Sequence, residues 1–181
     1  MRKRILDSQL LDITINRLCQ QLIENHGSFE NSVIIGLQPR GTLLAKKIAS
    51  RLSESLKKEV TAGYLDITFY RDDFRRREKP KLANATEIPF IIENKRVILI
   101  DDVLFTGRSV RAALDAMIAF GRPKDVQLLV LINRKYGRHL PIEPTYVGKT
   151  VNTIDTQLVL VEWKEQGKKE DNIWLINKED E

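Results

Sequence analysis

The sequence predicts an α/β fold in which a parallel sheet is covered by helices on both faces. Three apolar runs carry that expectation: Val33–Ile35 ending in Gly36, Val97–Ile100, and Val126–Ile132, in which Gln127 is the one polar residue. Stretches with apolar residues at helical spacing separate them. A strand buried on both faces needs no polar alternation, and parallel strands need helical crossovers. The 181 residues are 42% hydrophobic and 30% charged, with no repeat, low-complexity tract or linker, so a single domain from 1 to 181 is expected. A chain of that size can bury a core without disulfides.

The elements follow in order. Leu11, Ile15, Leu18 and Leu22 recur at helical spacing, with Asp7 or Ser8 as N-cap and Gly27 as a stop. After Val33–Gly36, a turn at Gln38–Gly41 leads into a second amphipathic stretch with Leu43, Leu44, Ile48 and Leu52 on one face. Val60 to Phe69 reads as a strand. From Tyr70 to about Thr86 the chain is charged and nearly free of apolar residues, and long loops inside compact domains are commonly functional lids. Val97–Ile100 runs into Asp101-Asp102 and a turn at Thr106-Gly107, then a helix from about Arg108 to Phe120 that stops at Gly121. Beyond Val126–Ile132, short strands are expected at Thr145–Val147, Leu158–Val161 and Ile173–Ile176.

Composition narrows the function. The net charge is +5, which favours anionic partners such as phosphorylated metabolites or nucleic acid. Part of the excess sits in one cluster, Arg75-Arg76-Arg77 with Lys79 and Lys81, which reads as solvated loop. The single cysteine, Cys19, falls on the apolar face of the first helix and reads as a small core residue. No apolar run reaches the ~18–20 residues that span a bilayer. Met1–Arg4 is basic but followed only by Ile5-Leu6 before Asp7, which is no signal peptide. A cytoplasmic protein without membrane association is expected.

The segment Val97–Ser109 carries the chemistry. In open parallel sheets ligands bind beyond the carboxyl ends of the strands, and Asp101 and Asp102 stand there. The turn after them opens a helix, so free backbone N–H groups and the positive end of a helix dipole face a phosphate. Thr106 and Ser109 add hydroxyls, Gly107 permits close approach, and Arg108 adds charge. Two carboxylates beside such a cradle suit ribose hydroxyls and a hydrated magnesium ion. Neither GxxxxGK[ST] nor GxGxxG occurs. A phosphoreceiver domain would open with its acidic pair, whereas here the pair lies past the middle.

VILIDDVLFTGRS, Val97 to Ser109, resembles the phosphoribosyl-pyrophosphate motif of type I phosphoribosyltransferases. GLQPRGTLLAKKIA, Gly36 to Ala49, resembles the pyrophosphate loop and following helix of the PyrR family, pyrimidine-operon attenuation regulators that are also uracil phosphoribosyltransferases. DITFYRDD, Asp66 to Asp73, is similar to the start of that family's flexible catalytic loop. GRPKDVQLLVLINR and LPIEPTYVGK are similar to its fourth strand and base-capping region.

The resemblance implies a type I phosphoribosyltransferase sheet, a lid over about 70–86 and a base-capping segment over about 134–150 that contains Arg134. It implies transfer of phosphoribosyl from phosphoribosyl pyrophosphate (PRPP) to uracil, with Mg2+ in the outer shell of Asp101 and Asp102. Pro39, Arg40 and Gly41 would hold pyrophosphate, with Arg71 reaching over it. Asp101 and Asp102 would bind the ribose, and Val103, Leu104, Phe105, Thr106, Gly107, Arg108 and Ser109 would form the phosphate loop. Phe105 stands where purine-type relatives often carry an acid. A homodimer or larger homo-oligomer is implied, as is binding of a messenger leader through basic residues, for which Arg17, Arg134, Arg138, His139 and Lys149 are the candidates.

The sequence departs from the family in three places. Asn16 and Gln20 stand where characterised regulators tend to carry Thr and His, Asn133 replaces a common Asp, and the turn Lys135–His139 is one residue longer. Two alternatives stay open: a nucleotide-sensing regulator without catalysis, and a transferase for another base.

Overall fold

The structure, a computed structural model, describes residues 2–72 and 83–180. Eleven labelled elements occur in the order β1 (Arg2–Leu6), α1 (Ser8–His26), β2 (Ser32–Leu37), α2 (Gly41–Leu56), β3 (Ala62–Leu65), β4 (Arg96–Leu104), α3 (Arg108–Met117), β5 (Asp125–Arg134), β6 (Tyr146–Val151), β7 (Gln157–Glu162) and β8 (Asn172–Asn177). Five strands form the expected parallel sheet in the order β3-β2-β4-β5-β6.

Alternation along the apolar runs divides the core between the two faces. Ile34, Ile98, Ile100, Leu129 and Leu131 pack under α1 and α2 with Leu11, Ile15, Leu18, Leu22, Leu44 and Ile48. Ile35, Val97, Leu99, Leu128 and Val130 pack under α3 with Val110, Ala113 and Met117. Asp7 caps α1 by accepting the Leu10 amide at 2.9 Å, and Gly27 ends it at φ +56°. Cys19 is buried as expected, and burial pushes its thiol pKa up to about 11 against the opposing charge of Arg51.

Two expectations need correction. The strand expected over Val60–Phe69 is confined to Ala62–Leu65. Asp66 ends it: its carboxylate accepts the Thr68 amide at 3.0 Å and the Thr68 hydroxyl at 2.6 Å, turning the chain into a 3-10 helix over Thr68–Tyr70. β4 continues through the acidic pair to Leu104 rather than ending at Ile100. Of the three short strands expected toward the C-terminus, the first, β6, joins the parallel sheet. β7 and β8 join β1 in a separate antiparallel sheet, order β1-β8-β7, which the sequence reading did not foresee.

That small sheet is anchored to α2. Trp163 is buried, Lys47 lies 5.2 Å over its ring, and the Lys47 ammonium pairs with Glu165 at 2.7 Å and Asp171 at 3.2 Å. Of the expected lid from Tyr70 to about Thr86, residues 73–82, with Arg75–Arg77, Lys79 and Lys81, lie outside the described residues. The returning arm is tied down: the Asn84 amide donates to Asp66 at 3.0 Å, the Asp66 amide to Thr86 at 3.0 Å, and the Gln38 side chain to the Ala85 carbonyl at 2.6 Å.

Candidate functional site

The sheet order places a crevice between the carboxyl ends of β2 and β4, because the chain proceeds from β2 to one edge and from β4 to the other. β4 leaves β2 after Ile100 yet stays paired with β5 through Leu104. Asp101 and Asp102 occupy this parting and are only 9% and 6% exposed. The Asp102 amide donates to Asp101 Oδ1 at 2.9 Å, and the Val103 amide to Asp102 Oδ1 at 2.7 Å.

Burial pushes the Asp101 carboxyl well above the usual carboxylate range, the charge of Asp102 adds to this, and Arg40 opposes it. Asp102 is raised too, again chiefly by burial, with Arg40 as the main opposing charge. Such a pair is an acceptor site that lacks enough positive charge. Ribose hydroxyls and a cation are what it would take up.

Two turns flank the pair. The β2–α2 turn presents Pro39 and Arg40 to solvent and then brings Gly41 against β4. A Cβ at Gly41 would penetrate the Ile100 carbonyl oxygen and come 3.2 Å from the Asp101 Cα, so only glycine lets this turn reach the acidic strand. The β4–α3 turn passes through Gly107 at φ +89°, and the Gly107 N-cap has no side chain to cap α3; the Arg108 amide donates to Thr106 Oγ1 at 3.4 Å, and the amides after it are suited to a ligand. The Arg71 guanidinium donates to Ser109 Oγ at 2.9 Å, while Asp72 pairs with Arg108 and reaches Arg111 at 3.8 Å.

A cavity of about 320 Å³ lies beside the acidic pair; Gly41 and Arg108 are not part of its lining. Of the residues singled out from sequence, Pro39, Arg40, Arg71, Asp101, Asp102, Val103, Phe105, Ser109 and Arg134 line it. Leu104 is 2% exposed and packs in the core beside α3. Thr106 and Gly107 lie beneath the following segment: the Thr106 carbonyl accepts the His139 and Leu140 amides at 3.0 and 3.3 Å, and Ile142 packs over Gly107.

Leu37, Gln38, Ile67, Thr68, Leu158 and Val159 complete the lining; the first four fall in the two loop segments Gly36–Ala49 and Asp66–Asp73 without a role of their own, and Leu158 and Val159 were missed. Leu158 and Val159 come from β7, so the small antiparallel sheet supplies one wall. Their signal was the apolar run of β7, which the pattern marked as a strand without saying where it packs.

Of the five basic candidates for RNA, Arg17, Arg138 and Lys149 each donate to the protein's own backbone. Arg17 donates to the Val147 and Gly148 carbonyls, the latter at 2.6 Å. Lys149 donates to the Ile5 carbonyl at 3.2 Å. Arg138 donates to the Phe105 carbonyl and, at 2.7 Å, to Asn133. Arg17 and Lys149 thus meet around β6, whereas Arg138 braces the turn beside Phe105.

Acidic strand end, helix start and glycine-dependent loop thus come together at the switch point of a parallel sheet. Residues 1–166 match the phosphoribosyl transferase domain, and the chain belongs to that family. The similar curated proteins include "Bifunctional protein PyrR" of Deinococcus radiodurans, 45% identical over 161 residues covering 89% of this chain and 87% of the relative. The "Bifunctional protein PyrR" of Bacillus cereus (strain AH820) is 39% identical over 176 residues, covering 96% and 97%. Among solved structures, a hypoxanthine-guanine phosphoribosyltransferase from Bacillus anthracis superposes with a TM-score of 0.71 at 18% identity, covering 96% of this chain and 98% of that one. The hypoxanthine phosphoribosyl transferase of Trypanosoma cruzi gives 0.72 at 12%, covering 98% and 92%. At such identities the likeness speaks of the fold alone, which is that of the type I phosphoribosyltransferases.

Proposed function

We propose that the protein transfers the phosphoribosyl group of PRPP to uracil, forming uridine monophosphate (UMP) and pyrophosphate. The observation that carries this reading is the buried Asp101-Asp102 pair, set between an arginine-bearing glycine turn and the start of α3. When the anomeric bond breaks, positive charge develops on the ribose and negative charge on the departing pyrophosphate. Catalysis by positioning and electrostatics follows. Asp101 and Asp102 hold the ribose hydroxyls beside the developing cation. Arg40, the Gly41 amide and Arg71 hold the pyrophosphate, and Thr106–Ser109 hold the 5-phosphate. Phe105 lines the cavity where the base is placed and has no proton to exchange with it.

Mg2+ fits this donor set as a hydrated ion. Among the described residues no group of three or more His, Cys, Asp or Glu could cage a metal, yet the two buried carboxylates favour a cation nearby. When bound, the ion would neutralise charge on the pyrophosphate. Tyr70 to about Thr86 is assigned the task of excluding water.

Membership among the PyrR proteins extends the proposal to control of pyrimidine genes through nucleotide-dependent binding of a messenger leader, by a cytoplasmic homo-oligomer. Among the described residues no helix is long and apolar enough to cross a membrane. The decisive variants for the enzyme are Asp101→Asn and Asp102→Asn together. Turnover should be largely abolished with the fold intact, and undiminished UMP formation would remove the pair from the site.

A further inference from the structure

Arg134, the last residue of β5, is 2% exposed and lines the cavity. Buried guanidinium groups are ordinarily paired with carboxylates, since an uncompensated buried charge is costly. Arg134 is not so paired: among the described residues no carboxylate lies within 4.0 Å of it, and the one whose charge acts on it, Asp155, is exposed. Its Nε donates to Thr153 Oγ1 at 2.7 Å and its Nη2 to the Ile154 carbonyl at 3.2 Å. A guanidinium has five N–H donors, so further donors are left for a ligand. The group is also held flat, with its central carbon 3.6 Å from the centroid of the Phe105 ring. Thr153 behind it is itself buried. The arrangement is a fixed cation in the wall that carries Phe105.

We propose that Arg134 stabilises the anionic form of the pyrimidine base, and so selects bases that lose a ring N–H proton readily. This inference rests on the uracil-transfer reading above and names the group that serves the base. The attacking ring nitrogen, N1, carries a proton that must leave, and Phe105 cannot accept it. The carboxylates in the cavity, Asp101 and Asp102, serve the sugar. The N1 proton is given to solvent water as the base enters, leaving negative charge spread over N1 and the two carbonyl oxygens. The N1 electron pair then forms the bond to the anomeric carbon, the carbon–oxygen bond to pyrophosphate breaks, and its electron pair leaves with pyrophosphate. Arg134 lowers the energy of the anion throughout, as oxyanion-hole donors do. Arg40, Arg71, Asp101 and Asp102 are the other charged groups of the cavity. They lie on the loops and strand end assigned to PRPP.

The test compares kcat/KM for uracil and for 5-fluorouracil, whose N–H is more acidic, across roughly pH 6–10 in the wild-type protein, Arg134→Gln and Arg134→Lys. Arg134→Gln should lose about 10²-fold with uracil near neutral pH. The loss should shrink with 5-fluorouracil and as pH rises, while KM for PRPP holds steady. Arg134→Lys, which keeps the charge, should recover much of the rate. Equal losses for both bases at every pH would overturn the proposal, leaving Arg134 a packing residue. Should Arg134→Gln fail to fold, Arg134→Lys decides alone: wild-type preference between the two bases supports the proposal, and a preference shifted toward 5-fluorouracil despite the retained charge contradicts it. A wild-type protein that forms no UMP from uracil would instead reject the uracil reading itself.

Discussion

Asp101→Asn should make the protein more stable while it destroys activity. Asp101 is 9% exposed, its carboxyl lies beside that of Asp102, and the opposing charge, Arg40, sits on an exposed turn. Its folded pKa is raised, so the neutral carboxyl favours folding. That contribution is complete below the ordinary carboxylate range and is lost as pH rises through the folded value. Near pH 7 burial of this carboxyl therefore works against the fold. Asn keeps the shape and the carbonyl oxygen that accepts the Asp102 amide, so only the charge is removed. Replacing uncompensated buried charge by a neutral group of equal size is worth about 1–4 kcal/mol, and 2 kcal/mol raises Tm by roughly 4–8 °C for a chain of this length. Thermal unfolding followed by circular dichroism, at about pH 7.5 and about pH 4, is the assay. The variant should melt higher at the upper pH, and the gap should narrow at the lower. A variant that melts lower than wild type at neutral pH would refute the reasoning, because the carboxylate would then be a stabilising partner rather than an acceptor held for a ligand.

Arg40→Ala should weaken PRPP binding by roughly 10–100-fold, the worth of a hydrogen bond to a charged group, and UMP binding far less, because only PRPP carries pyrophosphate. Calorimetric titration of both ligands checks this, and equal losses contradict it. Gly41→Ala pushes a methyl into the Ile100 carbonyl and should cost about 1–3 kcal/mol of stability as well as PRPP affinity; an unchanged Tm would show that the turn can move aside. His26 is bonded to Ser32 at 2.7 Å and to Gln127 and Tyr146 at 3.0 Å. Its pKa is lowered chiefly by burial, so its neutral ring stabilises the fold above the ordinary histidine range and this is lost as pH falls. The difference in Tm between wild type and His26→Gln should therefore narrow on acidification, and a difference independent of pH would contradict it.

The parallel sheet was legible because burial on both faces leaves a coarse signal: Val97–Ile100 admits no polar residue, and Val126–Ile132 admits Gln127 alone. Asp101-Asp102 and Thr106–Ser109 were legible because ligand chemistry interrupts such a run abruptly. What escaped was set by contacts distant in sequence. β1 reads as a basic tail, yet Arg2 and Arg4 lie over the Trp174 ring at 4.1 and 5.8 Å, and Arg2 pairs with Glu162 at 2.7 Å. Nothing local to Met1–Leu6 announces a partner strand some 170 residues away. The β7 wall of the cavity was hidden for the same reason. Asp66 was a missed local signal, since an Asx turn ends a strand however apolar the residues around it.

The most direct test of the central claim is UMP formation from uracil, PRPP and Mg2+, with hypoxanthine, guanine, adenine and orotate run beside it. Turnover with uracil and with none of the other bases is the expected result. Turnover with a different base would keep the phosphate site and overturn the base assignment. Absence of turnover with every base, from folded protein that still binds UMP, would contradict the account and make the site a nucleotide sensor.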